Sequence, residues 1–262
     1  MPKVYDLLKY FSLVWLSIRN LSARTGSTML LAGVLLSFSK IMQTVAFFMP
    51  LKVLIVLSAG EESKYSSYFK SWLTADQFLA IIIVMVPVSY LLYIFFGIAH
   101  RRYADRDMKR QVARAKSEKY GDRKLRVIKK IHPRLIRIWA DMCVVVLIIL
   151  IISIIQARFA AVLLILIGMN LGFFNAWVFG REESVRLTPL RLHPKQFVEY
   201  ITSINYLLVF SVLAVGVYYH SIGIVTALLA LLLSRLCLMA VQRISLESRT
   251  LQNNLEIYWN SL

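Results

Sequence analysis

Residues 139–179 read WADMCVVVLIILIISIIQARFAAVLLILIGMNLGFFNAWVF, and the fold turns on how this stretch is read. Two apolar runs, 139–155 and 159–179, are separated only by Gln156, Ala157 and Arg158. Each run is close to the ~20 residues that an α-helix needs to cross a hydrocarbon layer of ~30 Å. Three residues leave room for a helical hairpin and nothing larger, so the stretch predicts two antiparallel membrane spans with their turn outside. Trp139 and Trp177 then fall at the same inner interface, where amphipathic rings favour the headgroup level.

Toward the N-terminus, residues 100–138 carry fifteen Lys or Arg and four acids, which the positive-inside bias places in the cytoplasm. They read as two helical arms continuing the spans on either side, broken near Gly121, with His132-Pro133 marking where the incoming arm starts again. Residues 78–98, with Pro87 inside, form the preceding span, and 61–76, rich in aromatics and acids, form an outer loop. Residues 27–58 are the first span, long enough to tilt or protrude, with a kink expected at Pro50. Lys40 and Lys52 lie within snorkelling reach of opposite interfaces, the alternative being a pore lining. Ahead of them, Val4, Leu7, Leu8, Phe11, Val14, Trp15, Ile18 and Leu21 share one helical face. The flanking Lys3, Lys9, Arg19 and Arg24 favour a helix lying along the membrane surface over one that packs on a partner.

Toward the C-terminus, 180–196 is a second, basic cytoplasmic connection. Spans follow at 197–218 and 222–241, joined outside by Tyr219, His220 and Ser221, and 242–262 is a cytoplasmic tail. The expectation is an all-α polytopic membrane protein with an interfacial elbow helix (1–26), six transmembrane helices (27–241) and both termini in the cytoplasm, in a bacterial inner membrane.

Composition agrees: 58% of residues are hydrophobic, above the share of soluble chains. The net charge of +17 is concentrated in the first cytoplasmic connection, whose charges are expected to face water, anionic lipid headgroups or an acidic partner. Nucleic acid is not an expected partner, because the connection offers only Tyr103 and Tyr120 for base stacking and no zinc spacing. Cys143 and Cys237 both sit in apolar runs and read as packing residues, without disulfide or metal-ligand spacing. The amphipathic N-terminus does not predict a cleavable signal peptide.

No phosphate-cradling GxxxxGK[ST], GxSxG or HExxH motif occurs, so no catalytic residue, metal site or bound cofactor is expected in this chain. His100, His132, His193 and His220 read as interfacial residues, and Glu182-Glu183 as a solvated loop pair. Arg235, inside the last span, requires a partner or water. Asp141 and Glu199 are the available acids; the expectation is an ion pair with one of them or exposure to a central aqueous cavity. Asn170, Asn175 and Asn205 read as interhelical hydrogen-bond residues, which would make a path polar if they faced one.

This arrangement, an elbow helix, six spans, short outer turns and two cytoplasmic connections, resembles the membrane domain of ATP-binding-cassette exporters. Trp139-Ala140-Asp141 followed by two apolar runs is similar to the third and fourth helices of the type I secretion exporters, and Gly216-Val217-Tyr218 with 224–235, ending Ser234-Arg235, to their sixth. Residues 128–134 (IKKIHPR) resemble a stretch of the polysaccharide-exporting class, whose membrane subunits use a separate ATPase chain. The resemblance covers about half of the chain. It implies a homodimer around a central path and two points where an ATPase would press: Lys119, Tyr120, Gly121, Asp122 and Arg123 in the first connection, and Arg186, Leu187 and Thr188 in the second. Two departures stand against it. The family's ATPase domain would begin near 242–262, and the second connection is short, since two arms of ~25 Å would need over ~30 residues at 1.5 Å per residue.

Two functions compete. One is an export subunit that takes ATP-driven work from a separate ATP-binding partner. The other is a non-transporting, transporter-derived scaffold of a secretion or envelope-assembly complex. An intramembrane enzyme or channel lacks a residue set to carry it.

Overall fold

The computed structural model describes residues 12, 14–20, 22, 27–58, 75–117, 122–177, 194–220 and 222–259, and every regular element among them is helical. The elements are α1 (Thr28–Ser58), α2 (Ala75–Ser117), α3 (Asp122–Trp177), α4 (Pro194–Tyr218) and α5 (Ile224–Trp259). Among the described residues five helices are long and apolar enough to cross a membrane, so the chain is a helical membrane protein.

Helix α3 departs from helical geometry at Gln156 (φ −158°, ψ 88°), where the hairpin turn is expected, and this divides it into two limbs. Three helices carry a proline in their interior. Helices α1, α2 and α3 run on through Pro50, Pro87 and Pro133, because each proline removes one donor while its neighbours keep the ladder. His132-Pro133 is therefore an interior point of α3, which begins at Asp122. Helix α2 is described as far as Ser117 and α3 from Asp122, so the break expected near Gly121 lies outside the described residues. Helix α5 likewise continues past residue 241 into the expected tail.

At the α4–α5 turn the last carbonyls are capped: Tyr219 N–H donates to Val215 O (3.0 Å), His220 N–H to Val217 O (3.0 Å) and Ile222 N–H to Gly216 O (3.2 Å). His220 takes φ 53°, the left-handed conformation that lets the chain reverse in so few residues.

The closest packing joins α1 to α2 and α3 to α5. Two apolar cores result. One is built from both limbs of α3 with α4 and α5, around Ile148, Leu163, Phe174, Val209 and Leu238. The other lies where the basic arms meet the bundle and contains Met29, Ala32, Ile128, Ile131, Leu135 and Ile244. Val14 and Ile18, each 1% exposed, join that second core. The described part of the N-terminal helix, 14–20, thus packs on its own chain, while Trp15 and Leu16 stay exposed.

One close approach fixes this corner. Trp139 lies against Gly33, donates from Nε1 to Leu30 O (3.3 Å), and has its ring 5.7 Å from Trp15. A Cβ on Gly33 would overlap the Trp139 indole. Gly33→Ala is expected to cost ~1–3 kcal/mol, the range for overpacking a fitted core. A melting curve in detergent checks it: the loss should shrink in a Trp139→Leu background and persist elsewhere.

Candidate functional site

Asp141 sits one helical turn beyond Arg137 on the first limb of α3, with its side chain only 3% exposed. A carboxylate there requires partners, and two helices provide them. Lys40 of α1 reaches Asp141 Oδ1 at 2.7 Å. Arg243 of α5 donates from Nη2 to Oδ1 at 2.9 Å and from Nε to both oxygens at 3.2 Å, a fork geometry suited to guanidinium and carboxylate. One turn further, Arg137 Nη1 lies 2.9 Å and Arg134 Nε 3.8 Å from the Glu247 carboxylate. Residues 137 and 141 thus pair with 247 and 243 in reversed order, so the first limb of α3 and α5 run antiparallel.

A second ionic contact ties the arms together. Asp107 of α2 and His132 of α3 each stand ten residues from the helix ends that face each other, Ser117 and Asp122, as an antiparallel pair requires. His132 Nε2 donates to Asp107 Oδ2 at 2.6 Å, with side-chain exposures of 1% and 0%. The Thr28 hydroxyl also donates to Asp107, which brings the start of α1 into the cluster. Nearby, His100 Nδ1 donates to the Ala32 carbonyl at 2.9 Å. Outside these contacts the arms show their charges to solvent: Arg101, Arg102, Arg106, Lys109, Arg110, Arg126, Lys129 and Lys130 are all exposed, as expected.

For Arg235 the ion-pair alternative is not met among the described residues. It pairs with neither Asp141, which Lys40 and Arg243 occupy, nor Glu199, whose nearest partner is Lys195 at 4.0 Å on the same exposed face of α4. Arg235 is exposed at the surface of the chain, and its guanidinium stands 5.8 Å over the Tyr206 ring of α4. Asn170 and Asn205 do make the expected interhelical bond: Asn205 Nδ2 donates to Asn170 Oδ1 at 2.6 Å with both residues buried. Asn175 Oδ1 is buried and meets no hydrogen-bond partner among the described residues.

Lys40 is held by Asp141, a partner that the sequence reading did not name. Two further expectations are corrected. His132 is not an interfacial residue, because Asp107 meets it in the interior of the arm pair. Asp141 is not a partner of Arg235. Among the coupling residues, Lys119, Tyr120, Gly121, Arg186, Leu187 and Thr188 lie outside the described residues; Asp122 and Arg123 open α3, and their side chains lie outside the description too. The side chains of Lys52 and Trp177 also lie outside it.

Arg243 and Asp107 are the residues that sequence reasoning missed. A signal for the second was present: residues 128, 131, 132, 135 and 136 recur at helical spacing, which puts His132 on the apolar stripe of its arm. Both cysteines are free, Cys237 within the apolar core. Among the described residues, no three His, Cys, Asp or Glu side chains gather where they could hold a metal ion. No protein-family model, no curated protein and no solved structure matches the chain.

Proposed function

We propose that this chain is the membrane subunit of an exporter resembling the ATP-binding-cassette class, a homodimer that encloses a water-filled path and takes ATP-driven work from a separate ATP-binding chain. The observation that carries the reading is Arg235. It is the twelfth residue of the 25-residue apolar stretch Ile224–Ser248, and it is exposed at the surface of the chain. A charge at that depth is costly against lipid and is held where the helix lines water. Tyr206 beside it, and the exposed Ser203 and Ser211 on α4, would extend a polar strip along the same path.

The reading takes the chain across the membrane six times. The stretch Leu125–Asn175 would be ~77 Å long if straight, more than twice the hydrocarbon thickness. The break at Gln156 and the shared core of the two limbs with α5 support a chain that folds back there. With the basic arms in the cytoplasm of a bacterial inner membrane, both termini are cytoplasmic. Asp141 then joins three spans near their inner ends, and Asp107–His132 joins the arms below them. A push on the arms would reach the bundle through these buried ionic contacts.

Accessibility at Arg235 tests the path. In a Cys143→Ala/Cys237→Ala background, Arg235→Cys should react with a membrane-impermeant maleimide in native vesicles at a rate comparable to that of Ser117→Cys in the arm. Leu91→Cys, on the exposed apolar face of α2, should stay unreactive, because thiols in hydrocarbon do not ionise. An Arg235→Cys as inert as Leu91→Cys would remove the path.

The scaffold reading gains from one observation: Asp141 is held on both sides by Lys40 and Arg243, a contact that ties three helices together. In that reading the chain carries no substrate, and its arms anchor a secretion or envelope-assembly partner.

A further inference from the structure

A groove of about 510 Å³ is lined by Phe95, Ile98, Ala99, Arg102, Tyr103 and Arg106 of α2. Their steps of three and four residues put all six on one helical face. The face changes character along its length. Phe95 and Ile98, 64% and 48% exposed, belong to the apolar span, and the charged arm begins two residues later, at His100. Arg102 and Arg106 are both exposed, and neither guanidinium is hydrogen-bonded or ion-paired within the described residues. Tyr103 is half-buried against the second core and holds the wall of the groove in place.

We infer that this groove binds an anionic phospholipid, its phosphate between Arg102 and Arg106 and an acyl chain along Phe95 and Ile98. The two halves of the groove ask for different chemistry at a fixed spacing. Guanidinium groups favour phosphate, which they bind through paired N–H donors. The apolar half stands at the depth of the hydrocarbon, where an acidic peptide or a nucleic acid has nothing to offer it. Charge selects among lipids. The connection 100–138 holds fifteen Lys or Arg against four acids, so a headgroup that adds a cation is disfavoured beside one that is net negative. The site is independent of the export reading, since it requires only that α2 crosses the boundary between lipid and water near His100.

Native mass spectrometry of the full chain, delipidated in mild detergent, tests the assignment. Phosphatidylglycerol and phosphatidylcholine of identical chains are titrated in competition, with glycerol phosphate as the chain-free probe. At about 1 kcal/mol per basic residue near the headgroup, the first bound phosphatidylglycerol should be favoured about 30-fold over phosphatidylcholine. Arg102→Gln/Arg106→Gln, which keeps most of each side-chain stem, should abolish that preference. Arg126→Gln/Lys129→Gln, exposed on the other arm, should leave it intact. Equal binding of the two lipids by the wild-type chain would overturn the assignment, and that result does not depend on any variant folding. A preference unchanged in Arg102→Gln/Arg106→Gln would overturn it as well. Displacement of the lipid by equimolar glycerol phosphate would overturn the acyl-chain half and leave a phosphate site only.

Discussion

Asp141→Ala is expected to destabilise the chain by ~3–5 kcal/mol, the cost of leaving buried charges without their counter-ion. It removes the one carboxylate shared by Lys40 and Arg243 and leaves two cations facing each other across the vacated space. At ~2–4 °C per kcal/mol for a chain of this size, its melting temperature in detergent should fall by ~10 °C. The single partners should cost less, in a definite order. Arg243→Met removes the forked contact and leaves Lys40 on Asp141, whereas Lys40→Met leaves the fork intact and should be the mildest. Replacing the whole cluster, Lys40→Met/Asp141→Leu/Arg243→Met, should recover most of the loss, because apolar side chains of similar volume need no counter-ion. Asp141→Ala within ~2 °C of wild type would mean that the cluster does not hold the three helices together.

The second large effect is expected at Asp107, and it should appear in the arms. Asp107→Ala takes from the buried His132 the carboxylate it is bonded to and removes the contact that ties Thr28 to the arms. A loss of ~3 kcal/mol would raise the population of the opened arm pair by roughly 100-fold. Limited trypsin digestion reads this directly. The arms are dense in Lys and Arg, and cleavage follows the open population when closing is fast. Asp107→Asn keeps an acceptor for His132 and should fall well short of the alanine effect. A cleavage rate in Asp107→Ala equal to wild type would show that the arms are held by their apolar stripe alone.

Several of these elements were legible in the sequence because membrane physics leaves few options. The apolar runs at 139–155 and 159–179 had to be helices, and the interruption at Gln156 had to be the break between them. The charge of the arms and their exposure followed from the positive-inside bias and from amphipathic spacing. Asn170 with Asn205 followed from the need of buried amides for partners.

The ionic contacts were harder to read because they depend on register between distant segments. Arg243 was placed in a tail beyond the last span, but helix α5 does not end at residue 241, and the antiparallel register of α5 on α3 brings residue 243 level with residue 141. Lys40 read as a snorkelling side chain because its distance from an interface is visible in sequence while Asp141, a hundred residues away, is not. His132-Pro133 read as the start of the incoming arm because a missing donor is a local fact, while the packing that carries α3 on through it is a tertiary one.

These contacts also bear on the competing functions. A bundle whose first, third and last helices meet on one carboxylate near the arms can pass a push from below to the whole bundle. The same contacts would equally serve a rigid anchor. What separates export from anchoring is the partner.

Affinity purification of the chain from its native membranes in mild detergent, with mass-spectrometric quantification of every co-purifying protein against it, tests the central claim most directly. The export account predicts an ATP-binding subunit near one copy per chain, lost when the arms are opened by Asp107→Ala. Recovery of secretion or envelope-assembly proteins at that level with no ATP-binding subunit, or of the chain by itself, would contradict it.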